Sequence, residues 1–255
     1  MSAPAPPSRY NHGKQYQHCN LTPAPSMFFS PLLSAVPRVQ HGFGSKSARL
    51  LQAFEPHWAR RAIQRERHGT TIRLVHEAGQ QCGEADGMLS DRPGVPLAIM
   101  TADCLPLLLA RSDGRQVAAL HVGWRGALAD MVGQFSQLLQ ARGDHPAGWT
   151  VALGPAAAAC CYQVGVDVLR QFVARYPAPA ALLMPRPGYL DLPALVRWQL
   201  ARDGYGQVDQ VAACTICSGA DSAAGLTFHS YRRDHATRVP QRDSQWSAIM
   251  LTGPG

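Results

Sequence analysis

The chain has 255 residues, enough for one large domain or two small ones and ample for burying a core. Hydrophobic residues make up 46% and charged residues 16%, which excludes a disordered chain. The formal charge of +7 comes almost wholly from arginine, with lysine only at Lys14 and Lys46; scattered guanidinium groups suit small anionic substrates better than a nucleic-acid groove.

In chain order, residues 1–26 read as a flexible Pro-rich tail and 27–255 as a single catalytic domain. The apolar segment 27–36 is short, contains Pro31 and follows a Pro-rich, weakly charged lead, which argues against a signal segment, and no stretch approaches the length of a membrane span. After HGFGSK (41–46) a helical stretch is predicted through Leu50, Leu51 and Phe54 and again over 57–67. Arg60, Arg61, Arg65 and Arg67 would form its solvated face, with Trp58 as the only aromatic. TIRLVH (71–76) alternates as a strand ending in His76, and the Gly-, Asp- and Pro-rich residues 77–96 read as loop, with Asp86 serving its Asp-Gly turn. LAIM (97–100) is a short buried strand, whereas Pro106 argues against a regular central strand in LPLLLA (105–110). Asp113-Gly114 is a hairpin turn ahead of the strand QVAALHV (116–122).

Leu128, Met131, Val132, Phe135, Leu138 and Leu139 recur at helical spacing, and Gly143 closes that helix. WTVAL (149–153) is a strand broken at Gly154-Pro155. Helices follow over 166–175 and 191–203, the latter with Asp191 as N-cap, Pro193 in its first turn and Gly204 beyond its end. Strand-like runs at 208–216, 226–231 and 245–251 finish the chain, and strands interspersed with helices point to a layered α/β or α+β domain. The seven cysteines are odd in number and include the adjacent pair Cys160 and Cys161, which fits a reduced, cytoplasmic protein rather than a disulfide framework.

His76, Cys104 and His121 each lie where a predicted strand gives way to a loop, so three strands can bring them to one rim. Imidazole and thiolate are donors that zinc prefers, and three protein ligands leave a fourth position open, the mark of a catalytic site. The same pattern also fits a buried Cys104 with two hydrogen-bonded histidines. Cys214-x-x-Cys217 has no second CxxC partner and reads as buried thiols.

The blocks GVPLAIMTADCLPLLL (94–109), VAALHVGWRGAL (117–128), GPAAAACCYQVG (154–165) and FHSYRRD (228–234) closely resemble the YfiH-like laccase-domain family, from about His41 to Leu251. Its members have been called polyphenol oxidases, purine nucleoside phosphorylases and peptidoglycan editing factors. The resemblance implies an α+β fold, an α/β/β/α layered sandwich with mixed sheets similar to the cytotoxic necrotizing factor deamidases. It implies zinc on His76, Cys104 and His121, and phosphorolysis of adenosine, inosine, guanosine and methylthioadenosine. It also implies deamination of adenosine by a metal-activated water. Nucleoside and phosphate are the expected partners. Asp103 is the candidate proton shuttle, or else a residue that orients the cysteine; Lys46, Arg125, Arg232 and Arg233 are the candidate anchors for substrate.

Three departures stand out: Leu74-Val75-His76 lacks the Gln of the family's QVH, Lys46 stands where an arginine is usual, and Gln163 stands where Glu is frequent. Copper is the alternative metal and phenol oxidation the alternative chemistry, although the chain has no HxH pair. A metal-free hydrolase with Cys104 as nucleophile and His121 as base, acting on a cell-wall precursor or another substrate, is a further alternative, as is a non-catalytic zinc- or nucleotide-binding module.

Overall fold

A computed structural model describes residues 27–47, 52–177, 180–219, 227–239 and 242–253. The predicted tail, and Leu50 and Leu51 of the first helical stretch, lie outside the described residues. The strands are β1 (Met27–Phe28), β2 (Val39–Gly44), β3 (Ile63–Arg65), β4 (Ile72–Val75), β5 (Gln81–Glu84), β6 (Gly87–Ser90), β7 (Leu97–Thr101), β8 (Leu105–Arg111), β9 (Val117–Val122), β10 (Trp149–Leu153), β11 (Gln207–Gln210) and β12 (Gln245–Leu251). The helices are α1 (Pro31–Ser34), α2 (Trp124–Leu128), α3 (Met131–Ala141), α4 (Val166–Arg175), α5 (Ala180–Leu183), α6 (Leu192–Arg202) and α7 (Tyr231–Asp234), with a 3-10 helix over Gln52–Arg60. No helix among the described residues is long and apolar enough to cross a membrane.

A six-stranded mixed sheet has the order β11-β10-β8-β9-β6-β4, and a four-stranded antiparallel sheet the order β1-β2-β12-β7. Side-chain alternation explains how they stack. Leu105, Leu107 and Leu109 of β8 join Leu120 of β9 and Val151 of β10 in a core with Phe135 of α3 and Leu195 of α6. Leu108 and Ala110 of β8 and Ala119 of β9 point the other way, onto Phe43, Ile99 and Ile249 of the smaller sheet. The outer face of that sheet, at Ala98, Ala248 and Met250, meets Phe54 of the 3-10 helix. The layers therefore run helix, sheet, sheet, helix, the expected α+β sandwich with mixed sheets. Strands covered on both faces need no polar residues, which is why LPLLLA and VAAL are continuous apolar runs.

WTVAL, the helices over 166–175 and 192–202, and strand 245–251 lie where the sequence places them, and Asp191 caps α6 by accepting from the Ala194 N–H at 2.9 Å. Gly114 takes a φ of 69° in the hairpin between β8 and β9. Other expectations are corrected. LPLLLA is a regular central strand despite Pro106, because the Pro106 carbonyl accepts from Gly154 N on the β10 side, just where that ladder ends and no strand N–H is needed. Residues 77–96 are not all loop: β5 and β6 lie within them, and β6 sits between β9 and β4. The predicted helix over 57–67 ends at Arg60, and Arg65 belongs to β3, so the arginine run shares no helix face. Residues 211–216 leave the sheet after β11, and the described part of 226–231 is extended chain leading to α7, whose N-cap is Ser230.

His41 of β2 is buried and accepts a hydrogen bond from Ser30 N on Nε2 at 2.9 Å. Burial holds its pKa down to about 4, overriding the nearby Asp209 carboxylate. The unfolded chain takes up this proton near pH ~6.5 while the folded one does not until about 4, so stability is lost as the pH falls through that window, by up to about 3 kcal/mol. Urea unfolding at about pH 7 and about pH 5 is expected to show a wild-type loss about 2 kcal/mol larger than that of His41→Gln. Equal losses would mean that His41 protonates freely in the fold.

Candidate metal centre and cleft

β9 runs antiparallel to β6, and β6 parallel to β4, so the end of β9 meets the beginnings of β6 and β4. His121 has the parity of Val117 and Ala119 and therefore faces the layer between the sheets, at its open end. Cys104 enters β8 from the TAD bend, two residues before Pro106, which is the partner of His121 in the ladder. The third donor is His68, which leads into β4. The ligand atoms of His68, Cys104 and His121 all lie within 4.8 Å of one another.

This corrects the expected triad. His76 lies beyond the far end of β4, exposed, with its backbone N–H donated to Gln80 Oε1 at 2.7 Å. Ile72 and His76 are four residue steps apart along the strand, a rise of about 13 Å. His68 and His76 flank β4, and it is the end carrying His68 that meets Cys104 and His121. Glu66-Arg67-His68 then stands in the place of the family's QVH, with Glu for Gln and Arg for Val, so the departure moves from Leu74 to Glu66 and Arg67. A usable signal was the His68-Gly69 pair directly ahead of an alternating strand.

Asp86 builds this corner. Its carboxylate accepts from the backbone N–H of Arg67 (3.1 Å), His68 (2.8 Å) and Gly69 (2.8 Å), and Oδ1 lies 2.8 Å from His121 Nδ1. His68 has a φ of 62°, a left-handed conformation disfavoured for a side-chain-bearing residue and held here by those bonds. Hydrogen bonding through Nδ1 turns Nε2 of His121 toward Cys104, the arrangement by which a carboxylate orients a metal-binding imidazole. Asp86 is therefore part of the site and more than a turn former. Burial pushes its carboxyl up, but the bonds from His121 and the backbone outweigh this and hold it below its ordinary value.

Burial likewise opposes a Cys104 thiolate, yet His121 and His68 outweigh it and bring the thiol down to about 7. Burial lowers His121, while the Cys104 thiolate, Glu66 and Asp86 together raise it well above its ordinary value. The group thus favours a thiolate beside a protonated imidazole; once that proton leaves, a thiolate and two imidazoles are a soft donor set suited to zinc or copper. The edges of a tetrahedron with such bonds are about 3.5 Å, so a spread within 4.8 Å closes on an ion by small side-chain rotations. Gly123 makes the approach possible: a Cβ there would stand 2.9 Å from the His68 ring and 3.1 Å from Cys104 Sγ.

The three donors line a cleft of about 830 Å³. Of the expected anchors, Arg125 and Arg232 line it and Lys46 and Arg233 do not. Arg233 instead donates to the carbonyls of Thr215, Ile216 and Phe228, and Lys46 lies beside Asp234. Sequence reasoning missed Arg61, Arg65 and Glu66 as cleft residues because it placed the first two on a helix face. Arg125 stacks over Trp124 at 4.5 Å and Arg232 over Tyr162 at 5.6 Å. Glu66 accepts from Met100 N at 2.8 Å, and burial raises its carboxyl. Asp103, with a φ of 90°, accepts from Thr215 Oγ1 (2.6 Å), Ser230 Oγ (3.0 Å) and Arg232 N (2.6 Å). Both of its oxygens are engaged, which suits orienting Cys104 rather than shuttling a proton.

The profile of the multi-copper polyphenol oxidoreductase laccase family matches residues 43–251. The chain belongs to this family. One relative, the purine nucleoside phosphorylase of Xylella fastidiosa (strain 9a5c), is 37% identical over 187 residues, covering 70% of this chain and 67% of its own. Purine nucleoside phosphorylase YfiH of Escherichia coli (strain K12) is 37% identical over 172 residues, covering 67% of each chain. Among solved structures, the Neisseria meningitidis protein NMB0706 superposes with a TM-score of 0.73 at 27% identity, over 90% of this chain and 100% of the other. The family's description speaks of several coppers. Here His68, Cys104 and His121 offer donors for one ion, and the other cluster of metal-binding side chains among the described residues contains no histidine.

Two outcomes are expected. His68→Ala and His121→Ala lose the ion of this centre in metal analysis of the purified protein, whereas His76→Ala retains it; retention by His68→Ala would refute the assignment. Asp86→Asn, which weakens the grip on three N–H groups and on the His121 ring, is expected to lower metal affinity about 10–100-fold in a chelator competition. Unchanged affinity would show that Asp86 does not tune the centre.

Proposed function

We propose that the chain is a zinc-dependent purine nucleoside phosphorylase that also deaminates adenosine, with the ion held by His68, Cys104 and His121. The observation that carries this reading is the presence of two imidazoles and a thiolate in a cleft walled by arginine–aromatic pairs. The names of the Xylella and E. coli relatives support the same reading. A zinc ion bound there supplies a Lewis acid that polarises a substrate or water oxygen at neutral pH.

The chain's own residues divide the remaining work. Arg125 and Arg232, with Arg61 and Arg65 also lining the cleft, bind phosphate through guanidinium forks. Trp124 and Tyr162 offer flat apolar faces for a purine, each beside a cation. Glu66 spends one oxygen on Met100 N and keeps the other for the cleft, placed to move a proton to or from the base or its leaving amine. Asp103 holds the Cys104 bend against the loops that carry Thr215, Ser230 and Arg232. It is a positioning residue.

Incubation of the zinc-loaded protein with inosine and phosphate is expected to yield free base and ribose 1-phosphate at a rate that depends on phosphate, and incubation with adenosine is expected to release ammonia. A strong chelator should abolish both and added zinc restore them. His68→Ala should lower kcat/KM by about 10²-fold or more, the scale of losing one electrostatic group, while His76→Ala leaves it unchanged. Zinc-loaded protein that releases neither base nor ammonia, or that instead consumes oxygen with a phenolic substrate, would overturn the proposal.

A further inference from the structure

Four of the described cysteines lie outside the centre just described and converge at one point. Cys160 and Cys161 belong to the turn that follows β10, and Cys214 and Cys217 to the turn that follows β11. Their sulfur atoms all lie within 4.8 Å of one another, and Cys160 Sγ is 3.7 Å from Cys217 Sγ. In a tetrahedron with metal–sulfur bonds of about 2.3 Å the sulfur–sulfur edge is about 3.8 Å, so this pair already stands at the separation an ion would impose.

The backbone explains how distant cysteines meet. Adjacent residues on a strand point to opposite sides, but here the N–H groups of Cys161 and Tyr162 both donate to Ala158 O, at 2.9 and 2.8 Å. The chain thus coils, and neighbouring side chains can share a side. Ser218 N donates to Cys214 O at 3.0 Å, closing a helical turn that brings Cys214 and Cys217, three residues apart, to one face. Ala156 bridges the turns, donating to Ala213 O at 3.3 Å and accepting from Thr215 N at 3.0 Å. Each cysteine turn is also backed by a guanidinium. Arg186 Nη2 donates to Cys160 O at 2.9 Å, and its Nε is buried without a partner among the described residues. Arg233 Nη1 donates to the carbonyls of Thr215 and Ile216, the two residues between Cys214 and Cys217.

We propose that Cys160, Cys161, Cys214 and Cys217 form a second metal site, a tetrathiolate cage for one zinc-type divalent ion. Four protein donors leave no open coordination position, which makes the site structural. Four thiolates around a divalent ion carry a net charge of about −2, and Arg186, bonded to the carbonyl of Cys160, stands beside that charge, whereas Arg233 is already paired with Asp234. The ion clamps together two loops that serve the cleft. One carries Tyr162 in the cleft wall, and the other carries Thr215, whose hydroxyl donates to Asp103 at 2.6 Å beside Cys104. The site is independent of the proposed activity, since its ligands are a separate set.

The test is metal content of the full chain purified under reducing conditions, read together with cobalt substitution. An ion that survives His121→Ala but is lost in Cys214→Ser/Cys217→Ser is expected. In His121→Ala, Co²⁺ should give the sulfur-to-cobalt charge-transfer absorption and the strong visible bands of a tetrathiolate site. The cobalt spectrum of His121→Ala does not depend on whether the serine variant folds. The proposal is overturned if His121→Ala holds no ion and shows no such bands, or if the serine variant folds and holds as many ions per chain as the wild type. It is equally overturned if mass spectrometry of the reduced, native protein finds all four thiols open to alkylation after zinc is supplied.

Discussion

One carboxylate organises the functional end of this molecule. Asp86 faces three consecutive backbone N–H groups and one imidazole, and each contact constrains the next. The three N–H bonds hold Arg67, His68 and Gly69 in a curl that includes a left-handed histidine, and that curl delivers the His68 ring to the cleft. The bond to Nδ1 fixes the orientation of His121. Without a buried anion at this point, the curl would lack partners for its amides and the two rings would lack a common orientation.

The layered architecture supplies the place for this arrangement. The six-stranded sheet is apolar on both faces because helices cover one and the smaller sheet covers the other. His121, a polar side chain with inter-sheet parity, lies where the sandwich opens at the end of β9. Cys104 enters the same opening because Asp103 bends the chain sharply before β8, an outlying φ held by donors from two separate loops. The two side-chain-bearing residues with positive φ nearest the centre, His68 and Asp103, are thus each locked by hydrogen bonds to a carboxylate. Backbone strain is placed where geometry matters.

Asp103 also ties this centre to the rest of the cleft. Thr215 lies between Cys214 and Cys217, Ser230 caps α7, and Arg232 reaches from α7 to the carbonyl of Gln163 beside Tyr162. The cysteine cluster, the arginine–aromatic wall and the bend before Cys104 therefore form one continuous set of contacts. A cleft assembled from loops depends on such ties, because few of its walls are held by strand ladders.

The sequence by itself determined the strands and helices with strong periodicity, such as WTVAL, the helix after Gly165 and the final strand, because their burial pattern is written locally. It also singled out Cys104 and His121 as candidate donors, because they sit inside long, specific blocks. Tertiary structure alone decided the third donor. His68 and His76 both flank the same short strand, and nothing local says which end of β4 lies beside Asp86; the parallel pairing with β6 settles that. The same holds for Pro106, whose missing N–H is harmless only because β10 ends opposite it, and for the four cysteines. Cys160-Cys161 and Cys214-x-x-Cys217 are unremarkable as separate motifs, since half a ligand set in a chain specifies nothing. Only the pairing of β10 with β11 brings the two turns to one point.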